Sequence, residues 1–365
     1  MPQAASSASP GSTPVPGPDG ADRPGRLMRA EIHEQPAVWT RLLDEGQDAV
    51  ARAAAIFRAA EPTQVVLLAR GSSDNAAIYG QYLMQIGLHL PTALATPSVH
   101  TLYGSPVFPP GACVLAVSQS GASADLVQTL AAARQAGCLT VSITNAPESP
   151  LAAGADAHIP LLAGPERSVA ATKTYTGELL ALWMFTRVVG GRQPEAPELA
   201  ALGEQVLESA DAACRLLAER LTGIRRLLAV GRGYAFASAR EAALKLMETS
   251  YVMTQGLSAA DAEHGPVAVL DPQTPLLAFA SQGPGTASMA SVVAAARAAG
   301  APVEVIGDGT LAGDSLPALL PADVPPALVP LLEILPAQLL ALELAVLGGN
   351  DPDRPRGLSK VTSTV

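Results

Sequence analysis

The chain has 365 residues, enough for two domains of ordinary size, and 48% hydrophobic against 15% charged residues gives each a core. A formal net charge of −10 argues against sequence-independent nucleic-acid binding, which needs a basic surface, but not against a small anion held by backbone N–H groups. The cysteines, Cys113, Cys138 and Cys214, are odd in number, far apart and without CxxC spacing, so reduced buried thiols are expected rather than a disulfide framework or a zinc site.

Residues 1–26 are Pro-, Gly- and Ser-rich with almost nothing to bury, which predicts a disordered tail. They contain no apolar signal-peptide region, so a cytoplasmic location is expected. A helical pattern starts at Met28 and runs through Ile32, Val38, Leu42 and Leu43. An apolar run from Gln64 ends in Gly71 and predicts a buried strand and turn, with a helix over 75–86. Strand 113–118, helix 123–136 and strand 139–144 continue the alternation. Strands alternating with helices predict a parallel, doubly wound α/β sheet.

The second half repeats the first. Leu67-Leu-Ala-Arg-Gly71 is echoed by Ala229-Val-Gly-Arg-Gly233, Ser118-Gln119 by Ser281-Gln282, and Ala133-Arg134 by Ala296-Arg297, all at nearly one spacing. Two copies of one α/β unit follow, roughly 28–195 and 200–345. The late apolar stretch 327–348 is interrupted by Glu333, Pro336 and Glu343 and reads as a core helix, so no membrane span is expected.

Ser118-Gln-Ser-Gly-Ala-Ser123 lies between an apolar strand and a helix, where open parallel sheets bind ligands. Its hydroxyls, amide and N–H groups suit a monophosphate; an ordinary Ser-rich helix cap is the alternative. The second copy has Ser281-Gln-Gly-Pro284 there, and Pro284 removes a donor, so one full site per chain is expected. Arg70-Gly-Ser-Ser-Asp74 occupies the neighbouring turn, so Ser73 could reach the same phosphate; the alternative is a plain turn capped by Asp74. Glu241, Lys245 and Glu248 fall on one helical face, either a solvated salt-bridge ladder or an acid/base set. His264 precedes Gly265-Pro266 in a turn, a placement that favours function; no other ligand residue accompanies it, so no metal site is expected.

As an ordered set these segments, with Glu31-Ile-His-Glu-Gln-Pro36, Ala163 to Lys173, Glu248-Thr-Ser-Tyr251 and Pro355-Arg-Gly-Leu-Ser-Lys360, resemble the isomerase half of glucosamine-6-phosphate synthase and the SIS-fold aminosugar-phosphate deaminases. The resemblance implies two tandem SIS domains, flavodoxin-like, at 27–198 and 199–347, with 348–365 folded over the active site. It implies that Ser73, Ser118, Gln119, Ser120 and Ser123 hold a 6-phosphate and that Gly71, Ser72, Val169 and Thr172 line the sugar. Glu248 is implied as the base between C2 and C1, and His264 as the ring-opening residue, which in this family can come from the neighbouring subunit of a homodimer. Lys360 is implied to approach the open-chain carbonyl, with Glu241 and Lys245 in support and no cofactor. Ala122, Ala171, Asp261 and Glu263 depart from the synthase wording. Residue 2 is Pro, where a glutamine-using synthase carries a nucleophilic cysteine. The expected reaction is therefore release: glucosamine 6-phosphate and water giving fructose 6-phosphate and ammonia. Aldose–ketose isomerisation, ammonia-dependent amination and non-catalytic sugar-phosphate sensing are the alternatives.

Overall fold

The structure, a computed structural model, describes residues 23–105 and 107–360. Three helices open it: α1 (Arg26–His33), α2 (Gln35–Glu45) and α3 (Gln47–Ala60). The first repeat then runs through β1 (Gln64–Leu68), α4 (Ser72–Leu88), β2 (Thr92–Leu94), α5 (Pro97–Thr101) and β3 (Ala112–Ser118). It continues with α6 (Ala124–Gln135), β4 (Leu139–Thr144), α7 (Pro150–Gly154), β5 (Ala157–Pro160) and α8 (Lys173–Val189). The second repeat comprises α9 (Leu199–Arg220), β6 (Arg226–Gly231), α10 (Ala235–Ser250), β7 (Met253–Ser258) and α11 (Ala259–Glu263). After a 3-10 turn (Pro266–Val269) come β8 (Leu276–Phe279), α12 (Thr286–Ala298), β9 (Val303–Ile306) and α13 (Val329–Leu347).

The strands pair in parallel throughout, in the orders β2-β1-β3-β4-β5 and β7-β6-β8-β9. The first order is the flavodoxin-like one, and the second repeats it without a fifth strand. All of β3 is buried, as helices on both faces of a parallel sheet require. One apolar core joins the repeats: Leu67, Tyr79 and Leu182 of the first belong to the same buried cluster as Ala229, Leu331 and Leu335 of the second.

The expected helix over 75–86 starts three residues earlier, at Ser72, because Gly71 at φ 59° turns the chain off β1. Asp74 therefore does not cap it but lies in its first turn, where a negative charge is still favoured. The continuous helical pattern from Met28 is three helices, broken at Glu34 and Gly46. Of the tail expected over 1–26, residues 1–22 lie outside the described residues; Gly25 is ordered, its N–H donating to Asp351 Oδ1 at 3.2 Å. Helix α13 is long and apolar enough to cross a membrane but is buried against α9 and α10, the core helix expected. Pro336 lies inside it, and its carbonyl accepts the Cys214 thiol at 3.2 Å. All three cysteines are free and buried, and burial pushes the Cys214 thiol up to about 12.

Candidate active site

In the first sheet the strand order reverses between β1 and β3, and the turns after these two strands face one crevice. Both turns need glycine. Gly71 and Gly121 have positive φ, and a Cβ on Gly121 would stand 2.1 Å from Ser149 Oγ. The loop after β3 is tightened from within: Ser118 Oγ accepts the Gly121 N–H at 3.1 Å and Ser120 Oγ accepts the Ala122 N–H at 3.3 Å. Ser123 is the residue before α6, yet its hydroxyl caps no N–H there. The side chains of Gln119 and Ser123 make no hydrogen bond among the described residues and are half-buried. Arg70, at the end of β1, ties the two turns together by donating from Nε to Asp125 Oδ2 at 2.9 Å in the first turn of α6. Ser73 does not face this loop alone: its hydroxyl donates to Glu178 Oε1 at 2.7 Å. Burial raises Glu178 far above the usual carboxylate range, with nearby Glu166 and Glu241 adding to the shift against the Ser73 hydrogen bond.

Helix α10 brings the predicted ladder to the same region. Lys245 is buried, its ammonium 2.5 Å from Glu248 Oε2 and 3.5 Å from Glu241 Oε1. Glu241 is buried; Glu248 alone of the three is partly exposed, at 24% of its side chain. The ladder is thus not a solvated surface feature. Burial opposes the Lys245 charge, but Glu248 and Glu241 outweigh it and raise its pKa. Glu241 is pushed to about 7 by burial, against the pull of Lys245 and Asn75. Lys245 thus lies nearer to Glu248, at 2.5 Å, than to Glu241, at 3.5 Å. Asn75 of α4 donates to Glu241 Oε2 at 2.8 Å, so the ladder is pinned to the first repeat.

The segment after α13 returns across the first repeat. Asp353 accepts the N–H groups of Leu27 at 2.9 Å and Met28 at 2.7 Å at the start of α1, and its carbonyl accepts the Val169 N–H at 3.4 Å. Lys360 then reaches Glu166 Oε2 at 2.7 Å and the Ser168 carbonyl at 2.8 Å. Glu166 is buried and takes the N–H groups of Thr172 and Thr174 and the Thr174 hydroxyl. Burial alone would raise it, but Lys360 and these donors hold it below the usual range. Thr172 is buried with its hydroxyl unpartnered among the described residues, as is the Ser168 hydroxyl. Residues 361–365, included in the expected covering segment, lie outside the described residues.

Five carboxyls (Glu31, Glu166, Glu178, Glu241, Glu248) and two ammonium groups (Lys245, Lys360) therefore gather around the crevice, within electrostatic reach of one another. Such a set can hold one carboxylate ionised and another protonated at neutral pH, which is what proton transfer requires. Ser73, Ser118, Gln119, Ser120, Ser123, Gly71, Ser72, Val169, Thr172, Glu241, Lys245, Glu248 and Lys360 lie on elements that converge here. His264 does not join them: it is exposed, at the end of α11 beyond the outer strand of the second sheet.

Four participants had no expected role: Glu31, Arg70, Glu166 and Glu178. Glu31 and Glu166 stood inside segments that carried the resemblance, and Arg70 beside the first turn, so the residues were in view. Glu178 sits within a helix among apolar neighbours, and only its burial marks it.

In the second repeat the corresponding loop has internal acceptors of its own. The Gln282 N–H donates to Asp308 Oδ2 at 2.8 Å, and the Gly283 N–H to Thr286 Oγ1 at 3.0 Å. An internal carboxylate thus occupies one backbone donor of this loop and a threonine hydroxyl another.

A profile of the SIS domain matches residues 59–187 and 220–348. Over 354 residues the chain is 33% identical to the isomerizing glutamine–fructose-6-phosphate aminotransferase of Thermus thermophilus, covering 91% of this chain and 58% of that protein. The chain thus spans less than two thirds of the length of such curated relatives. A provisionally assigned phosphosugar isomerase of Silicibacter pomeroyi is 34% identical, with a TM-score of 0.76 over 89% of this chain and 99% of that one. The C-terminal domain of glucosamine-fructose-6-phosphate aminotransferase from Francisella tularensis is 26% identical, with a TM-score of 0.82 over 93% of this chain and 100% of that one. Glucosamine-6-phosphate deaminase from Thermotoga maritima shares the fold, at 19% identity and a TM-score of 0.77 over 93% of this chain and 100% of that one.

Proposed function

The chain belongs to the SIS domain family, and from that premise we propose that it deaminates and isomerises a 6-phosphorylated aminosugar, turning glucosamine 6-phosphate and water into fructose 6-phosphate and ammonia. The observation that carries the reading is the buried Glu241–Lys245–Glu248 ladder beside the serine crevice, with Glu248 its one partly exposed member.

Ser118, Gln119, Ser120, Ser123 and the Ser73 turn take the phosphate, which fixes one end of the opened sugar. Glu248, held by Lys245, removes the C2 proton of the aldehyde form. The resulting enolamine is reprotonated at C1, leaving an imine at C2. Water adds to C2, the nitrogen leaves as ammonia, and the ketose remains. Lys245, backed by Glu241, keeps Glu248 in place, Lys360 faces the open-chain carbonyl from its seat on Glu166, and Gly71, Ser72, Val169 and Thr172 shape the sugar pocket. His264 is exposed and lies away from its own crevice; as the family resemblance implies, the His264 of a second copy would complete the site in a homodimer. No step uses a metal or a redox cofactor.

A second reading keeps the site and changes the traffic: amination of fructose 6-phosphate, or aldose–ketose exchange. The 33% identity to an aminotransferase favours it. Incubation of the chain with glucosamine 6-phosphate separates the readings. Stoichiometric ammonia and fructose 6-phosphate support deamination. Interconversion of hexose 6-phosphates without ammonia, or glucosamine 6-phosphate made only from fructose 6-phosphate and an ammonium salt, supports the alternatives.

A further inference from the structure

The second sheet has its own point of strand-order reversal, between β6 and β8. A cavity of about 380 Å³ lies there, within the size range of small-molecule sites. Its walls are Tyr82 and Ile86 from α4, Tyr234, Phe279, Met289 and Val329. Glu333 of α13 also lines it and is fully buried. Glu333 Oε1 accepts the Ser238 hydroxyl at 2.6 Å, while Oε2 has no partner among the described residues. A buried carboxyl oxygen without a donor is costly, and native structures seldom keep one without a use.

The first repeat offers donors to an anion at the equivalent place; here the polarity is reversed. Asp308 occupies the loop N–H, Pro284 has none, and Glu333 adds an acid. Arg232, the one positively charged residue lining the cavity among the described residues, donates from Nη1 to Ser258 Oγ at 3.0 Å and makes no ion pair with Glu333. We propose that this crevice binds a small molecule with a ring-sized apolar body and an amino group, the amine seated on Glu333 Oε2. The aromatic and aliphatic walls take the body, and the carboxylate takes the charge that no protein group neutralises. This site is separate from the sugar-phosphate crevice and does not depend on the reading of that crevice.

Benzylamine is the probe, titrated by calorimetry into the full chain, with benzyl alcohol as its neutral counterpart. Saturable one-to-one binding is expected. Benzyl alcohol should bind about 10-fold or more weakly, and E333Q should weaken benzylamine by a similar factor, because a hydrogen bond to a charged group is worth that much. Saturating fructose 6-phosphate should leave the benzylamine affinity unchanged. Absence of saturable binding up to about 10 mM, equal affinity for amine and alcohol in the unaltered chain, full affinity in E333Q, or displacement by fructose 6-phosphate would each overturn the proposal. The alcohol comparison needs no variant, so it stands even if E333Q folds poorly.

Discussion

The Lys360 ammonium lies 2.7 Å from Glu166 Oε2, joining a terminal segment to a buried carboxylate 194 residues earlier in the chain. Removing the lysine leaves Glu166 buried without its cation. K360M should therefore lower stability at pH 8 by about 2–3 kcal/mol, at the lower edge of buried-pair losses because Lys360 is partly exposed. The Glu166 pKa is depressed on folding, so its contribution is present above the ordinary carboxylate pKa and fades as pH falls below it. The difference between K360M and the unaltered chain should shrink toward pH 3. E166Q/K360M should regain most of the stability while remaining inactive. Denaturant melts and turnover on the four chains check this, and additive losses in the double variant would contradict it.

The loop after β3 depends on Gly121. G121A places a methyl group against Ser149 at a φ that alanine resists, so a loss of about 1–3 kcal/mol in stability and a raised KM are expected. S120A keeps the backbone and should raise KM with little change in melting temperature. Melting curves and steady-state kinetics on both variants distinguish loop geometry from loop chemistry.

The matching loop of the second repeat should not respond in the same way. S281A and D308N alter groups that touch this loop, not the crevice with the ladder. Both should leave KM for a sugar phosphate within about twofold, as expected for distant sites. A rise comparable to that of S120A would show that the second loop shares in substrate binding.

Glu333 gives a pH test of stability. Burial pushes its carboxyl to about 7 from an ordinary 4.5. The groups facing it are the Ser238 hydroxyl, Arg232 along the cavity wall and the buried Tyr175 hydroxyl, whose own pKa is raised by burial and then by Glu241, Glu333 and Glu178. Because the folded chain holds this proton more tightly, the stability it confers is complete below about pH 4.5 and is lost as pH rises through about 7. E333Q carries no such proton. Its stability relative to the unaltered chain should improve by about 3 kcal/mol between pH 4 and pH 8. Urea melts at the two pH values measure the change, and a flat difference would contradict the shift.

Much of the architecture was legible in the sequence because parallel strands buried on both faces leave uninterrupted apolar runs, as at β1, β3 and β4. β2 and β5 escaped notice: Thr92–Leu94 and Ala157–Pro160 are too short to show a run and are strands only because neighbours pair with them. The repeat was visible because equivalent turns kept Arg-Gly and Ser-Gln. In the site, residues in turns could be named, and the ladder could be placed on one helix face by spacing. Spacing could not tell a buried ladder from a solvated one; burial of Lys245 decided that. Nor could it find that Ser73 is held by Glu178, or that Asp308 fills the second loop. Those pairings join residues distant in sequence and are set by packing alone.

The proposed function turns on one step: Glu248 moving a proton at the carbon next to the sugar carbonyl. Fructose 6-phosphate incubated with the chain in deuterated water, and followed by proton NMR, tests it whichever way the overall reaction runs. Deuterium is expected at C1 with the unaltered chain, with a rate at least about 10²-fold lower in E248Q and sugar-phosphate binding retained, as follows from loss of a general base. No exchange with the unaltered chain, or exchange at full rate in E248Q, would contradict it.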